Sequence, residues 1–104
     1  MPPTNTLSMV VAARRIGLST ATLSTLLELE QQHLATAGEL SRLHRTEYRA
    51  ERAHLARMVQ MGLLSIDQDT RPQLYKLTEH GIDKLLELKL ESIKAWRARN
   101  SFEN

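Results

Sequence analysis

Apolar residues along this chain recur at intervals that switch from helix-like to strand-like and back, and the switches predict the elements. Leu7, Val10, Val11 and Ile16, followed by Gly17, predict a short first helix that stops at a residue tolerant of left-handed backbone. Its only charges, Arg14 and Arg15, fall in the last turn, where cations suit the helix dipole. Ser19 or Thr20 then caps a second helix with an apolar face of Leu23, Leu26, Leu27 and Leu29, ending near Gln32. After a connector from His33 to Ala35, Thr36 and Glu39 have the Thr-x-x-Glu spacing of a capping box, in which each side chain satisfies a backbone donor of the other residue. A third helix holding Leu40 and Leu43 follows.

Thr46 is placed to cap a fourth helix that runs to Met61 and ends at Gly62. Tyr48, Leu55, Met58 and Val59 are its expected inward positions, which leaves Arg49, Arg52, Ala53, Ala56 and Arg57 on the opposite side. Leu63, Leu64 and Ile66 read as a short strand, Asp67 to Pro72 as a turn, and Leu74, Tyr75 and Leu77 as the returning strand. Pro72 has no amide proton to donate to a ladder and so belongs at the loop edge. Two such strands are not stable alone and must pack on the helices. Thr78 opens a long last helix in which Ile82, Leu85, Leu86, Leu90, Ile93 and Trp96 recur at spacings of mostly three and four.

The resulting fold class is mainly α with a small β-hairpin: a winged helix-turn-helix with a three-helix core, a wing and a long C-terminal helix. Residues 7–100 form the single domain that a chain of 104 residues allows. The Pro-, Thr- and Asn-rich residues 1–6 are expected to be disordered, and 101–104 to be a frayed tail.

Charge distribution is more telling than net charge, which is only +2. Residues 37–62 hold five arginines (Arg42, Arg45, Arg49, Arg52 and Arg57) against three glutamates (Glu39, Glu47 and Glu51). A helix entering a major groove needs small side chains that let its backbone approach, with long donors among them to reach base edges and phosphates. Arg49, Arg52 and Ala53 are the positions expected nearest the bases, with Thr46 at the helix start and Arg57 nearer a phosphate. Alternatively, the arginines form a solvated face paired with Glu39, Glu47 and Glu51. The order of the surrounding elements favours DNA.

Other chemistries are poorly supported. The chain has no cysteine, so disulfides, thiolate metal sites and thiol redox switching are excluded. His33, His44, His54 and His80 invite a metal-sensor reading, but no acidic cluster accompanies them at ligand spacing, and solvated or locally hydrogen-bonded histidines are expected. There is no glycine-rich phosphate loop and no plausible spacing of nucleophile and base, so no catalytic residue, cofactor or enzymatic activity is expected. Neither an apolar run of roughly 20 residues nor a basic secretory leader is present, and a cytoplasmic protein off the membrane is the expectation.

At this point the sequence resembles the multiple-antibiotic-resistance regulators, the MarR family of winged-helix transcription factors. Leu18-Ser19 through Leu26 and Leu29 is similar to that family's Leu-Thr-led helix, and Glu39-Leu40 and Gly62-Leu63 bracket its helix-turn-helix with matching spacing. Asp69-Thr70-Arg71 followed by Leu77-Thr78-Glu79-His80-Gly81 reproduces its Asp-x-Arg and Leu-Thr-x-x-Gly signatures without a gap. The likeness spans residues 18–81. It implies that Arg71 is a wing-tip arginine entering the minor groove, where a narrow groove concentrates negative potential. It also implies that Asp69 orients that arginine or braces it against the helix; an ordinary hairpin turn with a surface ion pair is the bland alternative.

The chain departs from the family in having a short N-terminal region and one helix after Thr78, so most of the framework that encloses the family's ligand pocket is missing and a small-molecule effector stays open. His44 and Glu51 stand where the family places aliphatic residues. They could interact across two helices, and a partly exposed pair is the expectation. The broad apolar face of the last helix either folds back on its own domain or meets a second copy; a homodimer through Leu7, Val10, Val11, Leu86, Leu90, Ile93 and Trp96 is favoured. Two functions follow: a DNA-binding transcriptional regulator, expected to be a repressor, with helix 47–61 in the major groove and wing 67–73 in the minor groove, or a winged-helix module that binds protein partners without base contact.

Overall fold

The computed structural model describes residues 6–100. The stretches expected to be a disordered start and a frayed tail lie outside the described residues, except Thr6, which begins the first helix. The order of elements is α1 (Thr6–Arg15), α2 (Thr20–Gln32), β1 (Ala35–Thr36), α3 (Ala37–His44), α4 (Tyr48–Gln60), β2 (Leu64–Asp67), β3 (Leu74–Leu77) and α5 (Glu79–Asn100). This is the expected mainly helical fold with a wing, but the sheet has a third strand. Ala35 and Thr36 pair antiparallel with Tyr75 and Leu74, giving the order β1-β3-β2. A two-residue strand has no sequence period of its own and exists here only because β3 offers it a ladder.

Local chemistry sets the helix ends. The Ser19 hydroxyl accepts the Thr22 amide at 3.1 Å, opening α2. The Thr36–Glu39 capping box is formed in both directions, at 3.1 and 2.9 Å. At α4 the expectation fails. Glu47, not Thr46, occupies the capping position and makes no side-chain cap bond, while the Thr46 hydroxyl donates to Glu51. The helix ends before Gly62, whose φ of +79° is a left-handed backbone that favours glycine.

Leu26, Leu29, Leu40, Leu55, Met58, Leu63, Leu64, Leu85 and Leu88 make the fully buried centre, closed on the sheet side by Tyr75. One expected inward position, Tyr48, is corrected, and the burial of two other residues is settled. Tyr48 is 51% exposed and Leu43 also faces solvent, whereas Glu51 is 2% exposed. Tyr48 shares the helical phase of the buried line Glu51, Leu55 and Met58 but is the first residue of α4, one turn beyond that line, and its ring stands exposed there.

The long helix α5 has two apolar faces. Gly81, Leu85, Leu88, Ser92 and Ala95 are buried on one; Gly81 abuts Leu63, and α1, with its own buried Ser8, Met9, Ala12 and Ala13, packs along α5. Small residues on both sides bring these two helices close together. Ile82, Leu86 and Leu90, four residues apart, stand exposed on the other face.

Candidate nucleic-acid interface

α4 leans on the core with one side and presents the other to solvent. Arg49, Arg52, Ala53, Ala56 and Arg57 are all exposed, as the spacing predicts. Their directions differ. Arg49, Ala53, Ala56 and Gln60 lie at successive intervals of four, three and four and form the centre of the exposed face, where methyl groups and one long donor leave room for a close approach. Arg52 turns toward the wing, and its guanidinium lies 6.0 Å from the centroid of the Tyr48 ring, the outer range of a cation–π contact. Arg57 turns the other way, bordering a groove lined by Thr20, Ala21 and Ser24 of α2.

Between α3, α4 and the wing lies a cleft of about 450 Å³, lined by Thr36, Ala37, Gly38, Arg42, Tyr48, Arg52, Arg71, Pro72, Gln73 and Tyr75. Arg52 and Arg71, far apart in sequence, border this one cavity. Arg42 joins them from α3; as one of five arginines in the basic stretch it was visible, but only the packing of α3 beneath the wing shows that it faces the same space. The N-terminus of α3 also borders the cleft, through Thr36, Ala37 and Gly38, with the Glu39 carboxylate of the capping box offsetting the positive end of the helix dipole.

The wing tip is shaped by Asp67. Its carboxylate accepts the Asp69 amide at 3.0 Å, and its carbonyl accepts the Thr70 hydroxyl at 3.1 Å. Among the described residues there is no ion pair between Asp69 and Arg71. Arg71 is exposed at the lip of the cleft, free to meet an anion.

Beneath this face lies the His44–Glu51 pair, which was expected to be partly exposed. His44 Nδ1 is 3.0 Å from Glu51 Oε1, with the side chains 13% and 2% exposed, so Glu51 is buried between α3 and α4 while His44 keeps a small exposed edge. Glu51 is buried because α4 presents it on the same line as Leu55 and Met58, directly behind the last turn of α3. His54, one turn along, has its Nε2 3.2 Å from the Thr25 hydroxyl, and burial pushes its pKa down from the ordinary value, helped by Arg57 and His44 and opposed by Glu51. Among the described residues no cluster of three or more His, Asp or Glu side chains could hold a metal ion, and no helix is long and apolar enough to cross a membrane.

The expected dimer residues divide by exposure. Leu7, Leu86 and Leu90 are exposed, the last two at 55% and 61%, while Val10, Val11, Ile93 and Trp96 are half-buried along the same two helices.

A helix-turn-helix followed by a β-hairpin that flanks a basic helix defines a winged helix. No family model and no curated protein matches the sequence. Among solved structures the fold recurs clearly. The transcriptional regulator Tm0710 from Thermotoga maritima superposes with a TM-score of 0.77 at 17% identity, covering 94% of this chain and 71% of that one. A MarR family protein from Bacillus stearothermophilus gives 0.77 at 16% identity, over 94% and 70%. Reduced AbfR of Staphylococcus epidermidis, solved bound to DNA, gives 0.65 at 21% identity, over 86% and 66%. The chain therefore has the winged-helix fold seen in MarR-family regulators; at these identities the likeness is one of fold.

Proposed function

We propose that the chain is a sequence-specific double-stranded DNA-binding transcriptional regulator of the MarR type, a repressor that acts in the cytoplasm as a homodimer. The observation that carries this reading is the convergence of Arg42, Arg52 and Arg71 on one cleft beside the open Arg49–Ala53–Ala56 face of α4. Two neighbouring elements thereby offer long donors side by side, as reading a major groove and the adjacent minor groove together requires. Residues 47–61 take the major groove, with Thr46 at the helix start and Arg49, Arg52 and Ala53 over base edges. Arg57 and Arg42 take phosphates, and Arg71 on the wing 67–73 enters the minor groove, with Asp69 beside it in the tip that Asp67 shapes. That one protein of this fold, AbfR, is solved bound to DNA supports the same use of the fold here.

The homodimer rests on the exposed stripe Ile82, Leu86 and Leu90 of α5, with exposed Leu7 on the neighbouring α1 and half-buried Val10, Val11, Ile93 and Trp96 on the same two helices. An apolar stripe along a terminal helix is the kind of surface that a two-fold related copy covers. Selection of bound sites from random duplexes tests the reading. A palindrome with half-sites about one helical turn apart is the expected result; a pool that never enriches would favour the protein-interaction module.

A further inference from the structure

Glu51 is held through one oxygen. Its Oε1 lies 3.0 Å from His44 Nδ1 at the end of α3 and accepts the Thr46 hydroxyl at 2.6 Å from the connecting turn. One atom of the first turn of α4 thus ties together the helix before it, the turn and itself. Glu51 Oε2 and His44 Nε2 are buried with no hydrogen-bond partner. The rest of the junction is loosely specified. Glu47 gives α4 no side-chain cap, and Arg45 leaves α3 with a φ of +55°, left-handed backbone in a residue other than glycine.

A buried pair with half its polar atoms unfilled is a poor device for stability. Apolar residues of similar volume in such a place are often neutral or stabilising, because they avoid the desolvation of two polar groups. What the pair supplies is direction. Contacts of 2.6 and 3.0 Å from two different segments are satisfied together at one angle between α3 and α4, whereas leucines in the same space would still pack after a small rotation. That angle decides where the next residue, Arg52, and Arg49 two before, stand on the outer face.

We propose that Glu51 is a positioning residue for DNA readout: through His44 and Thr46 it sets the angle of α4 against α3, and with it the placing of Arg49 and Arg52 on base edges. The proposal rests on the DNA-binding reading above.

The test compares the full chain with the apolar double variant His44→Leu/Glu51→Leu and with Glu51→Gln, which keeps an oxygen able to accept from both Thr46 and His44. Melting temperature, affinity for the selected duplex and affinity for random duplex are measured for each. The double variant is expected to melt at or above the parent, to keep its salt-dependent binding to random duplex, and to lose about tenfold or more of its preference for the selected site, the scale of one misplaced base contact. Glu51→Gln is expected to keep most of that preference. A double variant that folds and discriminates like the parent overturns the proposal.

A measurement on the parent covers the case in which the double variant does not fold. Nitrogen NMR of the imidazoles is expected to show His44 with a proton on Nδ1, the donor to Glu51; an Nδ1 without a proton overturns the proposal. Should the parent select no duplex at all, the DNA reading fails, while the imidazole spectrum still reports on the geometry by itself.

Discussion

Gly81 lies so close to Leu63 that a Cβ built on it would sit 2.3 Å from the Leu63 carbonyl oxygen. The same carbonyl accepts the Thr78 amide at 3.1 Å, the Thr78 hydroxyl donates to Gly62 O, and the Gly81 amide donates to the Thr78 hydroxyl at 3.0 Å. The Leu-Thr-x-x-Gly run is therefore the joint at which the wing, the end of α4 and the start of α5 meet. Thr78 caps α5 with the hydroxyl that also holds the backbone after α4, and Gly81 leaves room for a strand to pass.

Gly81→Ala should therefore force backbone apart rather than merely fill space. A loss of about 1–3 kcal/mol is expected, as for overpacking a tight site, and thermal melting would show it as a drop of several degrees. An unchanged melting temperature would mean that the joint is looser than its geometry.

Thr36→Ala removes one half of the α3 capping box and should cost about 1 kcal/mol, read by denaturant unfolding. Glu39 is held below its ordinary pKa of 4.5, chiefly by the Thr36 amide and then by the Thr36 hydroxyl. Its contribution is present above that value and lost as the pH falls through the lowered one, so Glu39→Gln should flatten the acid limb of the stability curve.

His54 predicts a second pH effect, with its own sign. Burial lowers its pKa from 6.5, so the unfolded chain binds the proton more readily than the folded one. The stability tied to neutral His54 is complete above about pH 6.5 and declines as acid is added. Unfolding free energies measured across this range should fall less steeply for His54→Gln than for the parent; parallel curves would show that His54 titrates alike in both states.

For the dimer, Leu86→Glu places a charge in the middle of the exposed stripe of α5 without touching the face that packs on α1. Sedimentation should show the parent at twice the mass of the variant, with both equally helical. Equal masses would remove this face from any interface.

What the sequence made legible was local. The Thr36–Glu39 capping box, the Ser19 cap and the turn from Asp67 to Pro72 depend on neighbours three or four residues away, and each formed where its residues predict. What escaped depends on packing. Ala35–Thr36 becomes a strand only beside β3. In α5, Leu86 and Leu88 look alike in sequence, yet one is exposed and the other fully buried, because α1 meets a face made partly of Ser92 and Ala95 that a search for large apolar residues overlooks. Glu51 was expected in a partly exposed pair with His44, although its phase matches the buried Leu55 and Met58. Likewise Arg42 was visible as a charge, but the space that it shares with Arg52 and Arg71 is a product of the fold.

The central claim is that α4 and the wing together hold duplex DNA, and titration of the selected duplex at several salt concentrations tests it most directly. Affinity should fall steeply with salt, with a logarithmic slope of about 0.9 per phosphate contact. Arg71→Ala should weaken binding while leaving the preferred major-groove sequence unchanged, whereas Arg52→Ala should change which sequence is preferred. Binding that ignores salt, or none even at about 50 mM salt, would contradict the account.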